Sequence, residues 1–515
     1  MRLPFPTRIP VEKTFIFAAA VFVLQIIQHT DLKFAALFFA YILASVITFN
    51  SAGGFSRASG AYIFWFGLLT CILGGLWKIV LGEPGNSNLA SPDVTLATYV
   101  VSMATIFVAI QISHRFTRRS RGLGVALGAD KINLGYAALG CFIANQFTVW
   151  ANEYLPHGNG SLVNIINQVN LFLPLCIILG TIHAIRISGG RRSVTILTFF
   201  ASFLIFVLGG IVNFSKQGMF TPIVCWALAA ASQRYRLRIW QVGLLIAFAV
   251  FSVTMLGPLS QVGRAIIPPN ATTWDRLVLS ADLLTHPKLL RTDYLQEIGA
   301  PDEGDRAAGF ASSYFDTPQG LMDRLNIIRA DDRLVTYTLQ GHTVGKTRVV
   351  YYFLNWIPHF ILPNKDAFFP PGILNAGNFY AHETGGLLAP DDYATGISFS
   401  PSAEAFHMDE WLGIIIVGGF VWTLLFIVVD LVCGDLRYSP IGLVAVVAFA
   451  HVAPESLIAA LVYFIFFGNL GIVIALVFCT YFAPIIGVLF SGPQVPRIAP
   501  IDHLPVSTPE ASPAL

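Results

Sequence analysis

Charge is what this sequence has least of. Only 12% of its 515 residues are Asp, Glu, Lys or Arg, while 55% are hydrophobic; a soluble globular chain carries about 25% charged residues. That balance excludes a soluble enzyme and indicates an integral membrane protein. The net charge of +2 is small, and no basic run interleaved with aromatics is present to follow a phosphate backbone, so a nucleic-acid partner is excluded. All six cysteines (Cys71, Cys141, Cys176, Cys225, Cys433 and Cys479) fall inside apolar runs. They imply neither a disulfide framework nor a thiolate metal site. HExxH is absent, and no other spacing suggests a zinc site. The N-terminal MRLPFPTRIPVEKTFIFAAAVFVLQ lacks a small-residue cleavage site after its apolar stretch, which reads as a retained first helix.

What is present is a succession of long apolar runs. A spanning helix needs roughly 20 apolar residues, and by that measure about twelve spans are expected, starting near residues 14, 34, 61, 93, 132, 165, 194, 217, 240, 411, 440 and 469. The Arg-rich connections HRFTRRSRG (114–122), RISGGRR (186–192) and SQRYRLR (232–238) alternate with connections that lack Arg and Lys. Cytoplasmic loops hold the excess of Arg and Lys, so these three are expected inside and both termini with them. The expected fold is therefore an all-α integral membrane protein. Residues 1–258 form an N-terminal membrane domain of about nine spans, 259–410 a large extracytoplasmic loop and 411–490 about three further spans. The Pro- and Ser-rich residues 491–515 read as a disordered cytoplasmic tail. Helical spacing in 273–286 and 319–339 makes the loop mostly helical. RVVYYFLNWIPHFIL (348–362) is too short and too broken by Pro358 to span; its Tyr and Trp suit the membrane interface.

Charged residues set against so apolar a segment suit a substrate with a lipid tail and a phosphate-bearing head. Arg329 and Arg333 are four apart on an expected helix and share a face; Lys346 and Arg348 precede the aromatic run, and Lys365 follows it. Guanidinium groups bind phosphate in a bidentate fashion. The plainer alternative pairs Arg329 and Arg333 with Asp323, Asp331 or Asp332 on a solvated helix face. For proton transfer the loop offers His342, His359, His382, Glu383, Glu404 and His407, with His382–Glu383 and Glu404–His407 each placing a carboxylate near an imidazole. A structural role is the ordinary alternative for any one of these histidines. Lys216 opens a span on the side of the loop, and His451 with Glu455 lies inside another span beside Pro454.

Three segments resemble a known family. GHTVGKTRVVYYFLNWIPHFILPNKD (341–366) is similar to the G-x-x-Y…IPR-x-x-x-P-x-K segment of O-antigen polymerases, and SFSPSAEAFHMDEWLGIIIVGG (398–419) to their S-x-x-x-E-x-x-x-x-x-G segment. NFSKQGMFTPIVCWALAAASQRYRL (213–237) is similar to the serine-basic start of the span before their large loop. His359 and Lys216 stand where that family usually shows Arg. The resemblance implies a GT-C-like polymerase/ligase architecture and a metal-independent, cofactor-free inverting glycosyltransferase. Its reaction would be polymerisation of undecaprenyl-pyrophosphate-linked repeat units into O-antigen or exopolysaccharide at the outer face of the bacterial cytoplasmic (inner) membrane. A chain-length regulator and a flippase are the partners it implies besides the bilayer. The resemblance assigns pyrophosphate binding to Arg264, Arg329, Arg333, Arg348, His359, Lys365 and Lys216, and acceptor activation to Glu404, His382 or His342.

Two other readings share much of this sequence. An O-antigen ligase-type enzyme has a similar architecture and donor. A polysaccharide or lipid flippase also suits about twelve spans, but should carry its functional charge within them; no internal repeat is visible, and the loop divides the spans unequally.

Overall fold

The computed structural model describes residues 2–118, 120–127, 132–155, 162–268, 271–286, 313–317, 319, 321–357, 361–362, 364–385, 387 and 397–491. Among these residues the protein is all-helical, its one β-type pairing being an isolated bridge between Arg2 and Arg236. Seven helices are long and apolar enough to cross a membrane: Leu32–Ala52, Ala58–Leu81, Pro92–Thr117, Ile166–Ile187, Ile239–Arg264, Pro401–Cys433 and Ile458–Leu489. The chain is a multi-pass membrane protein. Ile196–Val212 and Leu443–Glu455 are apolar but shorter.

Helices also occupy the other runs read as spans, with compositions that explain why they fall short. Val11–Ile27 has 17 residues and carries Glu12 and Lys13 in its first turn. Leu134–Tyr154 is long, but Asn145, Gln146, Asn152 and Glu153 interrupt its apolar character. Lys216–Ser232 has 17 residues with Pro222 inside.

Hydrogen bonds between connections sort them to two ends of the bundle. At one end Leu3 N–H donates to Tyr235 O, Phe55 N–H to Pro6 O, and Leu436 N–H to Ser56 O, while Gly122 packs against Gly434. The Arg-rich connections therefore lie together there. At the other end the large loop rests on the connection 82–91. Tyr314 OH donates to Gly85 O at 2.5 Å and Asn88 Nδ2 to the Asp316 carboxylate at 2.7 Å. The ammonium of Lys78, fully buried in its span, donates to Pro84 O and Ser87 O and lies 4.3 Å from the Tyr314 ring centre.

Carboxylates fix several helix starts. Asp430, mid-span and buried, accepts from Ser59 N–H (3.1 Å) and Oγ–H (2.7 Å) and so caps the helix from Ala58. Four unsatisfied N–H groups at each helix start demand partners, most of all away from water.

Within the large loop the described helices are Thr273–Thr285, Leu321–Arg324, Ile328–Leu339, Arg348–Asn355 and Ala376–Thr384. Thr272 and Asp275 close the first with a reciprocal capping box. Arg348–Asn355 ends at Trp356; Pro358 and His359 lie outside the described residues, as does the tail from residue 492. Where the loop returns to the bundle, the helix Pro401–Cys433 breaks at Asp409 (φ −164, ψ 46) and Glu410 (φ 45, ψ −131). Residues 401–408 thus form a separate helical piece above the apolar span.

Candidate functional site

Ile328–Leu339 presents two consecutive carboxylates to the bundle, and both are fully buried. Asp332 accepts from Ala90 N–H (2.6 Å), Ser91 N–H (2.9 Å) and Thr95 Oγ–H (2.9 Å). It thereby caps the helix Pro92–Thr117, where Ser91 provides no cap of its own. Asp331 accepts from Tyr99 OH (2.6 Å) and from Ser400 N–H (2.8 Å). Burial pushes its carboxyl up to about 7, against the opposing pull of the bonds from Ser400 and Tyr99.

Arg329 and Arg333 sit on the half-buried side of the same helix. The hydrogen bonds of the nearby carboxylates come from backbone and hydroxyl donors, Asp323 accepting from Ser313 Oγ–H and Gln319 N–H. Burial and then Arg333 pull the Arg329 pKa down, with Asp332 opposing. The Nε of Arg333 is buried without a hydrogen-bond partner among the described residues.

Ser400, fixed by Asp331, caps the next helix by accepting from Ala403 N–H (3.1 Å), and Pro401 occupies its first position. This start turns Glu404 inward, where it is fully buried. One carboxylate oxygen accepts from Tyr352 OH and from Tyr380 OH (3.0 Å); the other accepts from Ile458 N–H at 2.5 Å. Glu404 thus caps the span Ile458–Leu489, whose preceding residue Leu457 has no capping side chain.

Arg348 lies one turn before Tyr352 on the same helix face and donates from Nε to the Tyr352 oxygen at 3.0 Å. Its guanidinium stands 5.2 Å from the Phe379 ring centre and 5.1 Å from that of Tyr380. The residue is only 4% exposed, yet its Nη2 has no partner among the described residues. Burial, then the charge of Glu404, raises the Tyr352 pKa far above that of a free phenol.

Three further groups gather around Arg348 and Tyr380. His407 shares its Nδ1 with Thr338 Oγ at 2.9 Å, sits edge-on to Tyr380 at 5.1 Å, and leaves a buried Nε2 without a partner among the described residues. His342 is exposed and stacks on Tyr337 at 4.2 Å. Glu383 is exposed by surface area, yet partial desolvation raises its pKa while Arg348 and then His342 draw it down. The exposed Glu383 carboxylate thus lies within electrostatic reach of the buried Arg348 and of His342.

The remaining residues singled out in the sequence are placed as follows. Lys365 is 4% exposed and donates to the backbone carbonyls of Ile357 (2.6 Å) and Asn355. Its ammonium thus holds carbonyls at the end of the helix Arg348–Asn355. Lys216 opens its helix beside Phe214, and Arg264 Nε donates to Phe214 O at 2.9 Å. That turn belongs to the apolar cluster of Phe214, Met219, Leu256 and Leu259, whereas Tyr380 packs with Leu334, Phe399 and Ala403. His382 is half-buried at the end of Ala376–Thr384. His359 falls outside the described residues. His451 and Glu455 pair at 3.3 Å just before the break that precedes Ile458. Among the described residues no group of three or more His, Cys, Asp or Glu is arranged to hold a metal ion.

Sequence reading missed Tyr352, Tyr380 and the inward role of Asp331. The i, i+4 spacing of Arg348 and Tyr352 was available as a signal; the partners from 376–384 and 458 were not. No protein-family profile, characterised protein or solved structure matches the chain.

Proposed function

We propose that this protein is a glycosyltransferase that polymerises undecaprenyl-pyrophosphate-linked repeat units into O-antigen or exopolysaccharide. In this reading about twelve helices cross the cytoplasmic membrane, both termini are cytoplasmic, and the large loop works at the outer face. The observation that carries it is Arg348: a guanidinium buried at the loop–bundle junction, oriented through Tyr352 by Glu404, with Nη2 left open.

A buried cation with an open donor stabilises an anion that develops during reaction, and one such preorganised contact contributes about 2.7–4 kcal/mol. The acceptor hydroxyl oxygen forms a bond to the anomeric carbon of the donor glycan with inversion. The bond from that carbon to the pyrophosphate oxygen breaks, and the lipid pyrophosphate leaves as an anion beside Arg348, with Arg329 and Arg333 adding positive charge. The hydroxyl proton passes to Glu383 or His342 at the rim, with His382 adjacent in the chain. Glu404 orients the tyrosines: three donors already occupy its oxygens.

The test uses purified full-length protein, a lipid-linked repeat unit and excess chelator, with glycan length read on a gel. A ladder of products is expected. Transfer of a single glycan only when a lipid A core acceptor is supplied would instead identify a ligase-type enzyme. Movement of lipid-linked glycan across vesicles without bond formation would identify a flippase.

A further inference from the structure

We propose that the end of the bundle opposite the large loop holds an anionic phospholipid, its phosphate among the arginines of residues 186–192 and 232–238 and one acyl chain in the apolar groove beside them. This site is independent of the transfer reaction proposed above.

Charge is the first ground. Between Glu153 and Asp275 the sequence contains no Asp or Glu, yet Arg186, Arg191, Arg192, Arg234, Arg236 and Arg238 all fall there. The fold gathers them: Arg186 Nε donates to Gln233 Oε1 at 3.0 Å, and Arg238 Nη2 donates to Arg191 O at 3.2 Å. All six are exposed, and among the described residues none forms an ion pair with a carboxylate. So many unneutralised guanidinium groups on one surface make a positive patch that attracts an anion.

Shape is the second. A groove lined by Ile177, Thr181, Val194, Phe199, Ser202 and Trp226 runs between three helices. Its mouth at Val194 is two residues from Arg192, and Trp226 is fixed along it by donating from Nε1 to Ser193 Oγ at 3.2 Å. Val194 is 49% and Phe199 58% exposed, so the groove opens sideways, toward the place of an acyl chain. A zwitterionic headgroup would bring its own ammonium against the arginines, whereas a glycerol phosphate brings none. Charge complementarity therefore selects an anionic lipid.

The test places the full chain in phosphatidylcholine nanodiscs containing lipid brominated along its acyl chain, as either phosphatidylglycerol or phosphatidylcholine. Trp226 fluorescence is taken as the difference between wild type and Trp226→Phe, and retained phosphatidylglycerol is counted in parallel by mass spectrometry. Brominated phosphatidylglycerol should quench at a several-fold lower mole fraction than the phosphatidylcholine. Each arginine removed should weaken that preference, and combining Arg191→Gln, Arg192→Gln and Arg238→Gln should merge the two curves and empty the retained lipid. Ser202→Phe, which fills the groove, should abolish quenching by both lipids. Equal quenching in wild type, or a phosphatidylglycerol preference that survives the three Arg→Gln changes, would overturn the proposal.

Discussion

Asp331 accepts the backbone N–H of Ser400 at 2.8 Å, so one helix of the large loop sets the start of the helix that carries Glu404. Because Asp331 also receives Tyr99 OH from the span Pro92–Thr117, this buried carboxylate joins loop and bundle, beside Asp332, which does the same through Ala90, Ser91 and Thr95.

That carboxylate gives stability a particular pH dependence. Its folded pKa, near 7, lies above the roughly 3.9 of an unfolded Asp, so the folded state keeps a proton that the unfolded state loses. The associated stability is fully present below about 4, falls as pH rises and levels off above about 7. Melting temperature between pH 5 and 8 should drop in wild type relative to Asp331→Asn. Parallel curves for the two proteins would show that Asp331 is ionised throughout.

Tyr352 bridges Arg348 to Glu404, and its loss should matter to rate more than to folding. Tyr352→Phe leaves Glu404 with two donors and frees the guanidinium to turn. We expect about a 10- to 100-fold drop in turnover with a melting temperature within a few degrees of wild type. Combined with Glu404→Gln, the loss should be well below the product of the single effects, because both changes break one network. Independent, multiplying effects would show that the three residues do not act together.

Lys365 makes the opposite prediction. It serves the end of its helix, so Lys365→Met should cost about 1–3 kcal/mol by stranding buried carbonyls while leaving the activity of the folded fraction unchanged. A loss of activity in well-folded Lys365→Met would return it to the substrate.

The two ends of the bundle should label from opposite sides of the membrane. All six native cysteines are buried, so single cysteines at Lys346 and Arg192, both exposed, can be read against a low background. Lys346→Cys is expected to react with an impermeant maleimide added outside, and Arg192→Cys only after permeabilisation. Labelling of both from outside would contradict this orientation.

Apolar length made the helices and their membrane character legible, because hydropathy is a local property. The number of qualifying helices was less so, since polar residues such as Asn145 and Asn152 on Leu134–Tyr154 depend on neighbours for their cost. The place of Arg348 beside an aromatic run was visible in the sequence. That of Asp331 was not: in sequence it stands two residues from both Arg329 and Arg333 and reads as their counter-charge. Only packing reveals that it faces Tyr99 and Ser400. The carbonyls that Lys365 reaches were hidden for the same reason, since backbone acceptors carry no sequence signature. Glu404 was legible as important, but the three donors that surround it come from residues 352, 380 and 458.

The proposed reaction turns on the fork of Arg348. The direct measurement is the polymerisation rate of Arg348→Lys and Arg348→Ala with lipid-linked repeat units under excess chelator. A lysine keeps the charge but has no second nitrogen to present once Tyr352 is engaged. Both variants should stay folded and lose about 100-fold or more in rate; a wild-type product ladder from Arg348→Ala would rule out this role for Arg348.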